Sequence, residues 1–202
     1  AAMAGLVEAF RRRADSLTGR VVASLKLPLA RTGDQHRLGS MIAEARRNVL
    51  RTELGLVTNS SIRADLPGGR ITYGQLFEVH PSQNRLVKLT VSGSQLKELL
   101  EHALEGGKPS AHIAGARVRY DPQRRPGQRV QGIELLGRKF RREGRYTLAA
   151  DDFLAAGGEG YTMLVGLPAE PAPLLDVDGL VTYLRRLPQP ADVTARPGFL
   201  SR

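Results

Sequence analysis

Hydrophobic and polar positions follow two rhythms along this chain, and each rhythm predicts a different kind of element. In LGSMIAEARRNVL, Leu38, Met41, Ile42, Ala45 and Val49 recur at helical spacing, which leaves Glu44, Arg46 and Arg47 for the opposite, solvated face. SGSQLKELLEHALEGG is the clearest helix. Leu96, Leu99, Leu100, Ala103 and Leu104 form its apolar stripe, Ser92 with Gln95 makes a capping box, and Gly106 stops it. DVDGLVTYLRRL predicts a last helix, with Asp176 near its start, Arg185 and Arg186 at its end and Pro188 beyond, the charge order a helix dipole favours. ITYGQLFEV fits either period, and Thr72 in capping position tips YGQLFEV toward a short helix.

Strands are predicted for RVVASLKLPL from Arg20 to Leu29, for GLVTN directly after the first core helix, and for RLVKLTV with its β-branched content. ARVRYDP and VQGIELL form two more, joined by the polar loop QRRPGQR, and YTLAADD follows the REG turn. Pro67, Gly68 and Gly69 mark a firm turn, and the proline-rich tail is expected to be extended. Helices and strands alternate at first and strands cluster later. This order predicts an α/β (α+β) fold, a single domain with a mixed β-sheet flanked by helices. The opening AAMAGLVEAFRRRADSL reads as an amphipathic linker helix over residues 1–19, ahead of a domain over 20–202. It lacks the pattern of a signal peptide, and the chain is expected to begin inside a longer protein.

Composition adds limits. Among 202 residues, 41% are hydrophobic and 25% charged, enough apolar material for a real core. No apolar run reaches the roughly 20 residues that span a bilayer, so no membrane span is expected. With no cysteine, disulfides and thiolate metal sites are excluded. The net charge of +10 favours anionic partners. Its two arginine clusters, Arg11 to Arg13 and Arg138 to Arg145, flank few aromatic rings, so they read as solvated surfaces and nucleic acid as an unlikely partner.

One loop stands apart, FLAAGGEGY from Phe153 to Tyr161. It ends a strand with two glycines and an acid set between aromatic rings. Taken alone, a plain turn is the favoured reading, with Gly157 and Gly158 in conformations other residues resist and Glu159 facing water. A ligand loop is the alternative.

Three stretches in order shift that balance: TNSSIRADLPGGRITYGQLFEVHPSQN, LVKLTVSGSQLKELLE and YTLAADDFLAAGGEGY. Together they resemble the C-terminal, substrate-binding domain of the 5′-nucleotidase family, which includes UDP-sugar hydrolases and 2′,3′-cyclic phosphodiesterases. The resemblance implies that Arg63 holds phosphate or a neighbouring anion, a task suited to a permanently charged, bidentate guanidinium. It implies that Phe153 stacks on a nucleobase and that Glu159, standing where the family has aspartate, accepts from ribose hydroxyls. A surface arginine and an ordinary core phenylalanine remain the plain alternatives. Asn59 and Asn84 belong to the same loops, and Gly157 and Gly158 would admit the ligand.

The chain also departs from the family pattern. Ser82, in Pro81-Ser82-Gln83-Asn84, replaces the first stacking ring, Thr58 replaces the loop asparagine, and Ser60 and Ser61 replace paired glycines. Arg31 is the nearest candidate for a second family arginine. His36, His80, His102 and His112 are widely spaced in sequence and lack paired carboxylates at ligand spacing. His102 is placed on the exposed flank of a helix and His80 in a loop. Neither a catalytic set nor a metal site is expected in this chain. The resemblance implies two divalent metal ions in a separate N-terminal metallophosphatase domain, a nucleotide or nucleoside ligand, and a periplasmic or secreted setting. By itself the chain is expected to be inactive, as the substrate-binding domain of a 5′-nucleotidase-like phosphoric ester hydrolase. The alternative is a non-catalytic binding domain with a degenerate nucleotide site.

Overall fold

A computed structural model describes residues 18–194 and 196–201. The expected linker helix lies outside these, apart from its last two positions. The centre is a five-stranded mixed sheet in the order β5-β2-β8-β4-β9. Its strands are β2 (Leu54–Thr58), β4 (Arg85–Ser92), β5 (Ala111–Ala114), β8 (Arg145–Asp151) and β9 (Ala169–Leu175). Among the strand pairs described in this sheet, only β2 and β8 run parallel. Beside it stand an antiparallel pair, β1 (Val21–Leu25) with β3 (Gly69–Thr72), and a three-stranded sheet of β6 (Ala116–Tyr120), β7 (Val130–Leu135) and β10 (Phe199–Ser201). The mixed α/β architecture read from the sequence is the one observed.

Period-two alternation sorts the central strands between two cores. Leu54 and Leu56, Val87, Leu89 and Val91, and Tyr146, Leu148 and Ala150 share one cluster with Leu96, Leu99 and Leu100 of α3 (Gly93–His102). Val57 belongs to the other, with α1 (Arg37–Leu50), α2 (Tyr73–Val79) and α5 (Asp176–Arg186). On that side α1 lies so close that a Cβ on Gly55 would sit 2.0 Å from the carbonyl of Ala43. The expected capping box of Ser92 with Gln95 starts α3, and the expected cap Thr72 starts α2 in a second capping box, with Gln75. The early strand is shorter than expected, with Leu29 making only an isolated bridge to Leu66. Sequence pattern did not announce β5, because all of AHIA is buried, nor β9, an edge strand containing Pro171 and Pro173.

The largest correction concerns Arg46. Assigned to a solvated face, it is 1% exposed and lies at the meeting point of five elements. Its Nε and Nη2 donate to Asp176 at the start of α5, and Nη2 donates to Asp151 at the end of β8 at 2.8 Å. Nη1 donates to the carbonyl of Leu56 in β2. His80, expected in a loop, is the buried C-cap of α2. Its Nε2 faces Asp176 Oδ2 at 2.5 Å and its Nδ1 faces the carbonyl of Ser61 at 3.0 Å. Helical periodicity misplaced Arg46 because two carboxylates from distant parts of the chain supply its counter-charge. Burial alone would raise the pKa of Asp176, but Arg46 and His80 outweigh it and hold the carboxyl well below the usual range.

The other histidines are closer together than their spacing suggested. His36 and His112 meet with ring centroids 4.4 Å apart. His36 Nδ1 accepts from Gly39 N and so caps α1, which leaves its proton on Nε2, facing His112 Nε2 at 3.3 Å. His112 is fully buried, and burial, reinforced by His36, lowers its pKa to about 3. His36 is lowered too, by burial and by Arg31, with Asp65 opposing.

Two predictions follow for stability. Arg46→Met should cost about 3–5 kcal/mol, because it strands two buried carboxylates, and urea denaturation at neutral pH measures the loss. Between about pH 6.5 and 3 the unfolded chain protonates His112 and the folded chain does not, so stability is lost as pH falls through that window. Asp176, with its depressed folded pKa, adds a second loss below about pH 4. The expected slope from His112 reaches about 1.4 kcal/mol per pH unit, and His112→Leu should flatten it between pH 6 and 4.5. An unchanged slope in that variant would assign the effect elsewhere.

Candidate functional site

Strand directions gather the loops singled out in the sequence at one edge of the central sheet. Because β2 and β8 run parallel, both end at this edge, and the antiparallel β4 and β5 begin there. The segment after β2 carries Asn59, Ser60, Ser61 and Arg63, the segment after β8 carries Phe153 to Glu159, and the segment before β4 carries Pro81 to Asn84. Carboxyl ends of parallel strands are where α/β sheets most often leave room for a ligand.

Phe153 is the second residue of α4 (Asp152–Ala155), a single turn capped by Asp151, whose Oδ1 accepts from Leu154 N at 2.9 Å. The same carboxylate pairs with Arg46 through its other oxygen, so the turn is fixed to the buried charge. The ring is 50% exposed. A Cβ on Gly158 would come within 2.5–2.6 Å of three of its carbons, so the room at Gly158 is occupied by the ring. Gly157, at φ +91, makes the reversal that brings Gly158 back under Phe153. One face of the aromatic side chain is thus backed by main chain.

Glu159 is exposed and holds the left-handed conformation, φ 52, unusual for a residue with a side chain. Two hydroxyls across the edge hold its carboxylate: Oε1 accepts from Thr58 Oγ1 at 3.1 Å and from Ser60 Oγ at 2.5 Å. Those two hydroxyl oxygens lie 3.1 Å apart. Its main chain is held as well, since His102 Nε2 donates to the Glu159 carbonyl at 2.8 Å. His102 therefore serves this loop from the end of α3, and its ring also stands edge-on to Tyr161, centroids 4.6 Å apart. Hydrogen bonds thus join Thr58, Ser60 and Glu159 across the edge.

Arg63 is exposed, and among the described residues its guanidinium has no hydrogen bond or ion pair. Its amide is fixed by the carbonyl of Val79 at 2.7 Å. Arg31 is engaged: Nη1 donates to the carbonyl of Ile62 at 2.9 Å, and Nε lies 3.6 Å from Asp65. Its guanidinium braces the residue before Arg63. Asn59 is a tie between loops, with Nδ2 donating to the carbonyls of Asp34 and Pro109, both at 3.1 Å. Its Oδ1 is buried without a partner among the described residues. Asn84 gives its carbonyl to Asp176 N at 3.0 Å and its amide to Ser82 Oγ at 3.4 Å, so Ser82 closes a local turn.

The structure thus places Arg63, Phe153, Glu159, Asn59 and Asn84 at one edge of the sheet. Sequence reading overlooked Thr58 and Ser60 as partners of Glu159, His102 as its anchor, and Asp151 as the cap beneath Phe153. Only Asp151 left a signal, an acid three residues before Leu154 in capping position. Among the described residues no group of three or more His, Asp or Glu side chains is placed to hold a metal ion. A hollow of about 370 Å³ lies elsewhere, between α1, α5 and the turn at Gly115, with Ser40 and Tyr183 in its wall. No helix among the described residues is long and apolar enough to cross a membrane.

Comparison with known proteins finds relatives in sequence and in fold. The 5′-nucleotidase of Crotalus adamanteus venom is 32% identical over 149 residues, covering 65% of this chain and 25% of that protein. Endonuclease YhcR of Bacillus subtilis is 28% identical over 160 residues, covering 78% of this chain and 13% of its own. The chain spans a quarter or less of these two relatives. In fold, a 5′-nucleotidase precursor from Thermus thermophilus superposes with a TM-score of 0.84 at 22% identity, over 96% of this chain and 42% of that one. Residues 20–166 match the family described as 5′-nucleotidase, C-terminal domain, and the chain belongs to that family.

Proposed function

We infer that this domain binds the nucleoside end of a nucleotide and presents its phosphate to the metallophosphatase domain of a 5′-nucleotidase-like hydrolase. The observation that carries the reading is Phe153, a half-exposed ring with its back to Gly158, on the same sheet edge as the free guanidinium of Arg63 and the carboxylate of Glu159. An aromatic face suits any base, a cation suits phosphate, and a carboxylate suits sugar hydroxyls. On this reading the two divalent ions of the chemistry are held by the metallophosphatase domain, and the isolated chain is inactive on phosphate esters. Relatives named for snake venom and for a precursor support a secreted or periplasmic setting.

A second reading, a binding domain that has lost nucleotide recognition, is favoured by Ser82. It stands where the family has a ring, and its hydroxyl is committed to the turn at Asn84. Calorimetry with adenosine and AMP separates the two. On the nucleotide reading Phe153→Ala weakens both ligands by about 5- to 150-fold, the value of one base–aromatic stack of about 1–3 kcal/mol. Arg63→Gln weakens AMP far more than adenosine. Ser82→Phe, which restores a second ring, tightens adenosine. No response at Phe153 and Glu159 to millimolar adenosine or AMP in NMR titration would sink the nucleotide reading in favour of the second.

A further inference from the structure

The hollow of about 370 Å³ lies beside β5, the outer strand of the central sheet, and Arg63, Phe153 and Glu159 take no part in its lining. Its size falls within the roughly 300–1,000 Å³ of small-molecule pockets. Ser40 and Glu44 of α1 form one wall, Tyr183 of α5 with Leu187 just beyond it a second, and the turn at Gly115 a third. Residues 192–197 close the remaining side. Both ends of that segment are fixed: Ala191 N donates to the carbonyl of Ser24 at 2.7 Å, and the carbonyl of Gly198 accepts from Val118 N at 2.7 Å. Ser40 Oγ is buried with no partner among the described residues, an unmet polar group of the kind that a bound molecule or a water completes.

Four charged residues line the hollow, two of each sign: Glu44, Asp192, Arg117 and Arg196. The acids are already engaged by side chains outside it. Glu44 accepts from Arg47 through both oxygens, at 2.7 and 2.9 Å, and Asp192 pairs with Lys26 at 3.2 Å. Arg117 and Arg196 are exposed, and among the described residues neither guanidinium has a hydrogen bond or ion pair. The charge left uncompensated here is therefore positive. Burial and then Glu44 raise the pKa of Tyr183, with Arg47 opposing, so the phenol keeps its proton at neutral pH and is available as a donor. Between these polar groups lie Ile113, Ala114, Val193 and Leu136, the last 63% exposed. We propose that the hollow is a ligand site separate from the sheet-edge loops, and that it takes a small organic acid with an apolar body. The carboxylate pairs with Arg117 or Arg196, which a guanidinium does through two parallel hydrogen bonds, and the body covers Leu136 and Val193.

The test titrates the chain with benzoate and with 4-methylpentanoate, followed by amide NMR, and uses benzamide and 4-methylpentanamide as uncharged matches. At millimolar concentration at least one acid should shift the amides of Ser40, Gly115 and Val193. Its uncharged match should bind at least about ten-fold more weakly, the loss expected for a hydrogen bond to a charged group. Arg117→Gln/Arg196→Gln should erase that preference and leave the urea midpoint unchanged, because both side chains are exposed and unpaired. Neither acid shifting the three amides would overturn the proposal, as would equal binding of acid and amide or a preference that survives in the double variant. Shifts scattered over exposed arginines and lost on adding salt would mark an adventitious ion only, and would overturn it too. AMP should not displace the acid; displacement would reduce the two sites to one. Failure of adenosine and AMP to bind at Phe153 removes the nucleotide reading and leaves this result standing.

Discussion

A guanidinium taken out of water must find its full complement of acceptors, and Arg46 finds them only where five elements converge. Its partners are the end of β8, the start of α5, the carbonyl row of β2 and, through Asp176, the C-cap of α2. Paired buried charges add little net stability compared with apolar packing, but removing either partner is costly. The cluster therefore acts less as glue than as a register mark.

The candidate site inherits that register. Asp151 spends one oxygen on Arg46 and the other on capping the turn that carries Phe153. His80 spends one nitrogen on Asp176 and the other on the carbonyl of Ser61, two residues before Arg63. The backbone amide of Asp176 donates to the carbonyl of Asn84 in the third loop. Loops that are distant in sequence, with exposed tips, are thus referred to one buried charge. A rigid base beneath open tips is the usual way a binding surface is held ready without being enclosed.

Above that base the polar contacts interlock. The carboxylate of Glu159 ends on two hydroxyls, Thr58 and Ser60, at the end of β2 and in the loop after it. Side chains from two loops are, in three dimensions, one connected set. The basic surface is likewise more occupied than its composition suggests. Arg138 pairs with Glu53 and lies 4.4 Å over the ring of Tyr146, and Arg142 reaches Ser94, so part of the second arginine cluster fastens the turn before β8.

The sequence by itself determined the helices with strong periodicity, the cap at Thr72 and the capping box at Ser92, most central strands, the mixed α/β class and the three segments that form the candidate site. These features are local: spacing, caps and turn residues act within a few positions of one another. What only the tertiary structure decided was everything that depends on a partner far along the chain. Arg46 looks like a surface residue until Asp151 and Asp176 arrive from 105 and 130 positions away. His80 looks like a loop residue until Asp176 meets it, and His36 and His112 look unrelated until α1 lies beside β5. The same holds for β9, whose prolines argue against a strand until β4 offers it an edge, and for Thr58 and Ser60, which become partners of Glu159 only across the sheet. Burial and counter-charge are properties of the assembled fold, and no local pattern carries them.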